Sequence, residues 1–399
     1  MSRDRLTFTL LDLGYKKAGP VQIYDSSTCY SDGSIIPFSA QLAIVTHALT
    51  LRGEKHGDVF QDKAQELIEA WSYFFGTHEP AIDSSIVAEP SALQYSLFQD
   101  IFKAPFPSPQ KPKFTFIDLF AGIGGFRMAF QNIGGQCVFS SEWDVQAQKT
   151  YFANYGEIPF GDITSEYTKS FIPNDFDILC AGFPCQAFSL AGKRLGFEET
   201  RGTLFFDVAE ILRRKQPKAF FLENVKGLAI HDKGKTLKTI LNTLDEIGYM
   251  VVPPQIINAM YFGVPQHRER IYIVGFRKDL GIKPEDFQYP EQKEVTTRFI
   301  DIREKDPVPA KYYLSNTYVE TLIRHKARHE SKGNGFGYAI VGDNEVANAI
   351  VVGGMGRERN IVIDTRQTDM TPTTRIKGEY NKDGWRRMTP REWGALQGY

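Results

Sequence analysis

Cysteine is scarce in this chain: Cys29, Cys137, Cys180 and Cys185 are the only four in 399 residues. That is too few for a disulfide framework in so long a protein and reads as reduced thiols in the cytosol. No two of them have the spacing of a zinc-ligand pair, so no metal is expected. Long apolar runs are missing too. None approaches the roughly 20 residues of a membrane span, which excludes a membrane-spanning helix, and no membrane partner is expected. The start, Met1-Ser2-Arg3-Asp4-Arg5, lacks the apolar core of a secretory signal. Net charge is nearly absent, −1 at pH 7. Global charge therefore argues neither for nor against nucleic acid, and only local basic patches can. There is no internal repeat. What remains is a composition of 42% hydrophobic and 24% charged residues, which fits a soluble globular protein of two or three domains.

Residues 1–112 read as an N-terminal extension of unknown role. Ser39–Leu51 and Asp58–Phe75 have amphipathic helical spacing, with Ser39 and Asp58 as N-caps. His47, His56 and His78 are scattered and read as surface or packing residues rather than ligands. A Pro-rich stretch, 104–112, closes the extension as an extended linker. From 113 to 297 the texture changes. Apolar strands are expected at Phe114–Leu119, Gln136–Ser141, Phe176–Ala181, Lys218–Leu222, Val251–Ile257 and Ile271–Phe276. Helices at Asp144–Asn154, Thr203–Arg214 and Gly234–Ile247 alternate with them. This alternation implies α/β architecture with a largely parallel, doubly wound, Rossmann-like sheet. Residues 298–385 lose the alternation and are rich in Gly, Thr, Asn and charge, which suggests a small irregular domain. Residues 386–399 look like the start of a further helix.

Chemistry belongs at the carboxyl ends of such a sheet. Phe120-Ala121-Gly122-Ile123-Gly124-Gly125 joins the first strand to a helix, where glycines let a ligand approach the backbone and the helix start offers free N–H donors. The spacing is not G-x-G-x-x-G, which disfavours a pyrophosphate. Glu142 ends the second strand, twenty residues after Gly122, where a carboxylate accepts hydrogen bonds from ribose hydroxyls. Trp143 beside it is suited to stack on an adenine. Asp162, in Gly161-Asp162-Ile163, follows after twenty more and suits an adenine amine. Singly, each also fits a plain α/β turn with solvated acids; together they point to an adenosine-bearing cofactor.

Phe183-Pro184-Cys185-Gln186 follows the Phe176–Ala181 strand. A lone cysteine is more often a small buried hydrophobe than a nucleophile. Here Glu223 ends the next strand, and Gln266-His267-Arg268-Glu269-Arg270 precedes the last. A nearby cation favours the thiolate, and a carboxyl group in an apolar site can serve as an acid. Arg268 and Arg270 also fit a salt-bridged loop and Glu223 a solvated strand end, but their joint placement suits catalysis better.

These residues lie in motifs that resemble the DNA (cytosine-5) methyltransferases, and most closely the bacterial restriction-modification methylases of the HhaI type. They are Asp118-Leu119-Phe120-Ala121-Gly122-Ile123-Gly124-Gly125-Phe126, Gly182-Phe183-Pro184-Cys185-Gln186, Arg201-Gly202-Thr203-Leu204-Phe205-Phe206, Glu223-Asn224-Val225, Gln266 to Arg270, and Arg387-Met388-Thr389-Pro390-Arg391-Glu392. The resemblance implies methyl transfer from S-adenosyl-L-methionine to C5 of a cytosine flipped out of duplex DNA. Cys185 would attack C6, Glu223 would protonate N3, and Arg268 and Arg270 would hold base and phosphate. Phe120, Gly122, Gly124, Glu142, Trp143, Asp162, Ile163, Pro184 and Leu204 would surround the cofactor. The loop after Cys185, with Gly192, Gly196 and Gly202 as hinges and Lys193 and Arg194 for phosphates, would close over DNA. The irregular domain would be the target-recognition domain, with Arg357, Arg359, Arg366, Arg375 and Lys377 as candidates for bases or phosphates. A cognate restriction endonuclease would be the system partner, in the bacterial cytoplasm near the nucleoid.

The family pattern continues past Tyr399 with a Gly-Asn-Ser motif and a last helix, which this sequence does not contain. The expectation from that departure is an inactive or half-enzyme chain that binds DNA or needs a second polypeptide to supply the missing C-terminal motif. A nucleotide-dependent oxidoreductase is a further reading, disfavoured by the Gly spacing and by the Cys, Glu and Arg set.

Overall fold

A computed structural model describes residues 28–29, 35–36, 38–74, 104–184, 204–335, 337–351, 358–371 and 379–399. The chain divides into two compact units. The first takes residues up to Pro254 together with Tyr272–Phe287; the second takes Gln255–Ile271 and Gln288–Tyr399.

The first unit is built on a parallel sheet. Its elements are β1 (Phe114–Leu119), α3 (Gly125–Asn132), β2 (Gly135–Ser141), α4 (Val145–Tyr155), α5 (Glu166–Ser170), β3 (Ile178–Ala181), α6 (Leu204–Lys215), β4 (Ala219–Val225), α7 (Lys235–Glu246) and β5 (Tyr249–Val251). After β6 (Gln255–Asn258) comes β7 (Glu269–Arg277). The strand order is β2-β1-β3-β4-β7-β5, with β6 also on β7. The β2-β1, β1-β3 and β3-β4 pairs are parallel, and β7-β5 is antiparallel. Every residue of β2 is buried, as expected of a strand covered on both faces in a parallel sheet.

The expected strand Val251–Ile257 is instead two short ones, Tyr249–Val251 and Gln255–Asn258. Pro253 and Pro254 lie between them and have no N–H to give a ladder.

Two helices from the N-terminal extension, α1 (Phe38–Thr50) and α2 (Asp58–Phe74), belong to this same unit. On α1, Leu42, Ala43, Ile44 and Val45 are fully buried. Phe60 of α2 stacks on Phe171 with centroids 6.1 Å apart, and His47 of α1 meets Phe160 at 5.0 Å. The Pro-rich stretch has neither helix nor strand and bends at 105–106 and 110–111, and Phe106 donates its N–H to the Asn154 carbonyl.

The second unit has little regular structure beyond α8 (Phe299–Ile302), α9 (Asn316–Glu330), α10 (Pro390–Ala395) and two-residue ladders. Charge organises it. Arg386 is fully buried, donating to both carboxylate oxygens of Glu392 at 2.8 Å and to Asp364 at 3.0 Å. Burial alone would raise the Asp364 carboxyl, but hydrogen bonds from Arg366 and Arg386 hold it well below the usual range. Glu392 also closes a capping box with Thr389 at the start of α10.

Removing this cation leaves the buried Glu392 without its ion-pair partner and takes one of its arginines from Asp364. Arg386→Met should therefore destabilise the second unit by about 3–5 kcal/mol, measured by urea denaturation. A loss below about 0.5 kcal/mol, the range of an ordinary surface change, would show that the cluster does not hold the unit.

Candidate active site

Register builds the site. Ser141, Leu119, Ala181 and Leu222 face one another in turn across β2, β1, β3 and β4. The next residue on each strand is therefore Glu142, Phe120, Gly182 and Glu223, side by side at the carboxyl edge. A register shift between Phe116 and Ile117 lets β2 gain one residue on β1. Without that bulge Leu119 would face Ser140, and Glu142 would stand one step too far along.

The Gly loop turns on left-handed residues: Phe120 has φ 57°, Gly122 58° and Gly124 93°. At Gly124 a Cβ would fall 2.2 Å from the Tyr155 ring, so only glycine fits. At Gly122 a Cβ would meet nothing within 4 Å, which leaves the backbone open to a ligand. Glu142 spans the edge: Oε2 accepts from the Gly122 N–H and Oε1 from the Asp144 N–H, both at 2.8 Å. Trp143 next to it is 79% exposed, its indole unclaimed by the core. Asp162 is exposed and accepts from the Thr164 N–H, while Ile163 is buried.

On the other half of the row, the Glu223 carboxylate lies beside Gly182, where an added Cβ would stand 3.6 Å from Oε2. Asn224, buried, donates its amide to the Phe183 carbonyl at 2.8 Å. That bond fixes the backbone leading into Pro184, which is exposed. Phe183 packs on Phe205 of α6, centroids 5.7 Å apart, one residue past Leu204. Cys185, Gln186 and the loop carrying Lys193 and Arg194 lie outside the described residues. The two other described thiols, Cys137 and Cys180, are buried, and burial pushes both pKa values far up. They are inert core residues.

Arg268 and Arg270 belong to the second unit. The Arg268 N–H donates to Asn258 Oδ1 at 3.0 Å, and Arg270 Nη1 donates to the Glu269 carbonyl at 2.8 Å. Of the residues considered for base readout, Arg366 has its guanidinium bound to Asp364 and to the Glu304 and Lys305 carbonyls, so it serves the scaffold. Arg359 is exposed. Arg357, Arg375 and Lys377 lie outside the described residues.

The chain's motifs also contain two functional candidates that spacing alone does not single out. Asn224 is one. The other is Asp118, fully buried on β1, with neither carboxylate oxygen hydrogen-bonded. Burial raises its pKa to about 8, against the pull of Arg127. The available signal was a lone acid in the otherwise apolar run Phe114–Leu119.

Comparison with known proteins decides what this edge belongs to. The model of the C-5 cytosine-specific DNA methylases matches residues 114–399. The chain belongs to that family. The Type II methyltransferase M.HpaII of Haemophilus parainfluenzae is 67% identical over 320 residues, covering 80% of this chain and 87% of that protein. M1.ScrFI of Lactococcus lactis subsp. cremoris is 46% identical over 315 residues, covering 78% and 76%. M.HhaI of Haemophilus parahaemolyticus is 54% identical over 187 residues, covering 47% and 56%. The fold also matches the crystal structure of S. pombe Dnmt2 methyltransferase, with TM-score 0.50 and 19% identity over 72% of this chain and 87% of that one. This chain is therefore a DNA (cytosine-5-)-methyltransferase by family, and the methyl donor of its family and fold is S-adenosylmethionine. Among the described residues no helix is long and apolar enough to cross a membrane, and no cluster of side chains could hold a metal. The comparisons lend no support to a second polypeptide.

Asp118 gives this site a pH signature. Its folded value, about 8, lies above the ordinary carboxyl value of 3.8. Between the two the folded protein keeps a proton that the unfolded chain has released, so stability falls as pH rises through that window. Without cofactor, Asp118→Asn should remove a loss on the order of 2–4 kcal/mol. Melting temperatures from pH 5 to pH 8.5 should show the variant gaining on the wild type as pH rises. Parallel curves would mean that Asp118 is already ionised in the fold.

Proposed function

We propose that this chain methylates C5 of a cytosine flipped out of duplex DNA, through a covalent bond between the Cys185 sulfur and C6, as the methylase of a restriction-modification system. The observation that carries the reading is the strand-end row. It sets Glu223 beside Gly182, three residues before Cys185, and sets Glu142 at the Gly loop on the same edge.

The chemistry requires this pairing. C5 of an aromatic pyrimidine is a poor nucleophile. Addition of the Cys185 thiolate to C6 breaks the ring's aromaticity, while Glu223 gives a proton to N3 so that charge does not accumulate there. C5 then carries the electron pair that takes the methyl group. Loss of the C5 proton to a base restores the C5–C6 double bond and expels the thiolate, as N3 returns its proton to Glu223. Asn224, by holding the Phe183 carbonyl, keeps the approach to Cys185 in one place. Arg268 and Arg270 are assigned to the base and phosphates from the sequence pattern alone. The base must leave the duplex stack, because C6 is inaccessible inside it.

S-adenosylmethionine supplies the electrophilic methyl group when bound. The residues fit it: an open backbone at Gly122, a carboxylate at Glu142 for ribose hydroxyls, the exposed Trp143 for adenine, and the buried, unpartnered carboxyl of Asp118 within the same motif. Phe120, Gly124, Asp162, Ile163, Pro184 and Leu204 complete the expected wall. Type II relatives suggest a cognate endonuclease as the partner in the system.

A duplex carrying 5-fluorocytosine tests the mechanism, because fluorine at C5 cannot leave as a proton does and the adduct persists. With cofactor present, the wild-type chain should form a denaturation-resistant protein–DNA species across a panel of target sequences. Cys185→Ala should form none, and Glu223→Gln should form it at least about a hundredfold more slowly. DNA binding with neither adduct nor methylated product would favour a non-catalytic DNA-binding chain instead.

A further inference from the structure

The N-terminal helix α1 reaches a buried polar cluster that the proposed reaction does not use. Its centre is Glu157, fully buried, just past Gly156, whose left-handed backbone (φ 72°) ends α4. Three donors from three elements converge on this carboxylate, and a histidine ring lies against it. Arg127 of α3 donates to Oε1 at 2.7 Å, and so does Ser140 Oγ of β2. Thr50 of α1 donates to Oε2 at 3.1 Å, and His47 Nε2 lies 3.3 Å from Oε1.

The tautomer of His47 follows from its contacts. Nδ1 lies 2.8 Å from the Ala43 carbonyl, which can only accept. Nδ1 therefore carries the proton. Burial lowers the His47 pKa and keeps the ring neutral, despite Glu157. Nε2 is then free to accept the Ser140 N–H at 3.2 Å. That N–H lies on β2, at the end of the sheet order, and would otherwise be an open edge donor. A third contact reinforces the join: Thr46 Oγ1 accepts the Ile158 N–H at 3.0 Å.

The cluster's two other arms lead to the cofactor edge. Ser140 lies on β2, two residues before Glu142, which follows the strand directly. Arg127 lies on α3, whose first residue, Gly125, follows the Gly loop directly. Arg127 is itself gripped by Tyr151 at 3.1 Å and Gln131 at 2.7 Å. Tyr155, beneath the same guanidinium, donates to the Gly124 carbonyl at 2.8 Å. One carboxylate thus ties α1 to both sides of the Gly122–Glu142 hydrogen bond.

We propose that α1 is a working part of the cofactor site, and that His47, through the Ser140 N–H, and Thr50, through Glu157, are positioning residues that set the spacing between the Gly loop and Glu142. This rests on the reading of that edge as the S-adenosylmethionine site. Groups that orient a ligand's direct contacts govern affinity nearly as strongly as the contacts themselves.

His47→Phe in the full chain is the informative variant. It keeps an aromatic ring among Phe60, Phe139 and Phe160 but loses the acceptor for Ser140. Titration calorimetry with S-adenosylmethionine should show a Kd raised about tenfold. Initial rates should show KM for the cofactor rising with it, while KM for DNA and kcat at saturating cofactor stay within about twofold, since the bound geometry is recovered once the site is filled. Thr50→Val, a single bond at the rim of the cluster, should give a smaller shift in the same direction, and it keeps the test decisive if His47→Phe does not fold. Thr50→Ser should restore the wild-type value. A lowered melting temperature with unchanged cofactor Kd in these variants would overturn the proposal and leave α1 a purely structural helix. Failure of the wild-type chain to bind S-adenosylmethionine would instead overturn the cofactor reading, and this proposal with it.

Discussion

The parallel register of β2, β1, β3 and β4 is the constraint on which the rest depends. Because Ser141, Leu119, Ala181 and Leu222 share one level, the residues that follow them stand at the same height, where three strands end and β4 runs on to Val225. Each position contributes something different: a carboxylate at Glu142, a left-handed turn at Phe120, an open backbone at Gly182 and a second carboxylate at Glu223. A slip of one residue on any strand would reverse its faces and carry its functional residue out of the row. The bulge near Phe116 shows how finely this is set, since it alone brings Glu142 level with the others.

Polar bonds inside the core then fix what leaves the edge. Asn224 holds the Phe183 carbonyl and so governs the approach to Pro184. Glu142 reaches back to the Gly122 N–H. Behind them the Glu157 cluster joins α1, β2 and α3. Such buried networks cost desolvation and return it only when every member is satisfied. The second unit applies the same principle with Arg386, Glu392 and Asp364, beside two apolar clusters around Phe299 and Leu322.

Much of this was legible in the sequence, for physical reasons that differ by element. Phe114–Leu119 announces itself because a strand buried in the sheet reads as a near-continuous apolar run, and its observed bounds are those expected. Asp144 was read as opening a helix and does so, its carboxylate capping the Ala147 N–H. The strand expected at Val251–Ile257 failed because two prolines outweigh its apolar character. His47 read as a surface or packing residue, and it is buried; its partner Glu157 is remote in sequence, and no local pattern links a histidine on one helix to an acid after another. Arg366 looked like a base reader because arginine so often is one, yet Asp364, two residues earlier, claims it. Glu142, Glu223 and the Gly loop could be placed together at one edge because strand ends are local in sequence as well as in space. The polar supports behind them are local only in space.

The central claim is a division of labour along one sheet edge, with cofactor affinity at the Glu142 end and base chemistry at the Glu223 end. Its most direct test measures S-adenosylmethionine binding and methyl transfer side by side for two single variants. Glu142→Ala should raise the cofactor Kd by at least about tenfold, the loss expected for a hydrogen-bonded charged contact. Glu223→Gln should leave that Kd within about twofold while methyl transfer falls at least about a hundredfold. Equal loss of cofactor binding in both variants, or full methyl transfer by Glu223→Gln, would contradict the account.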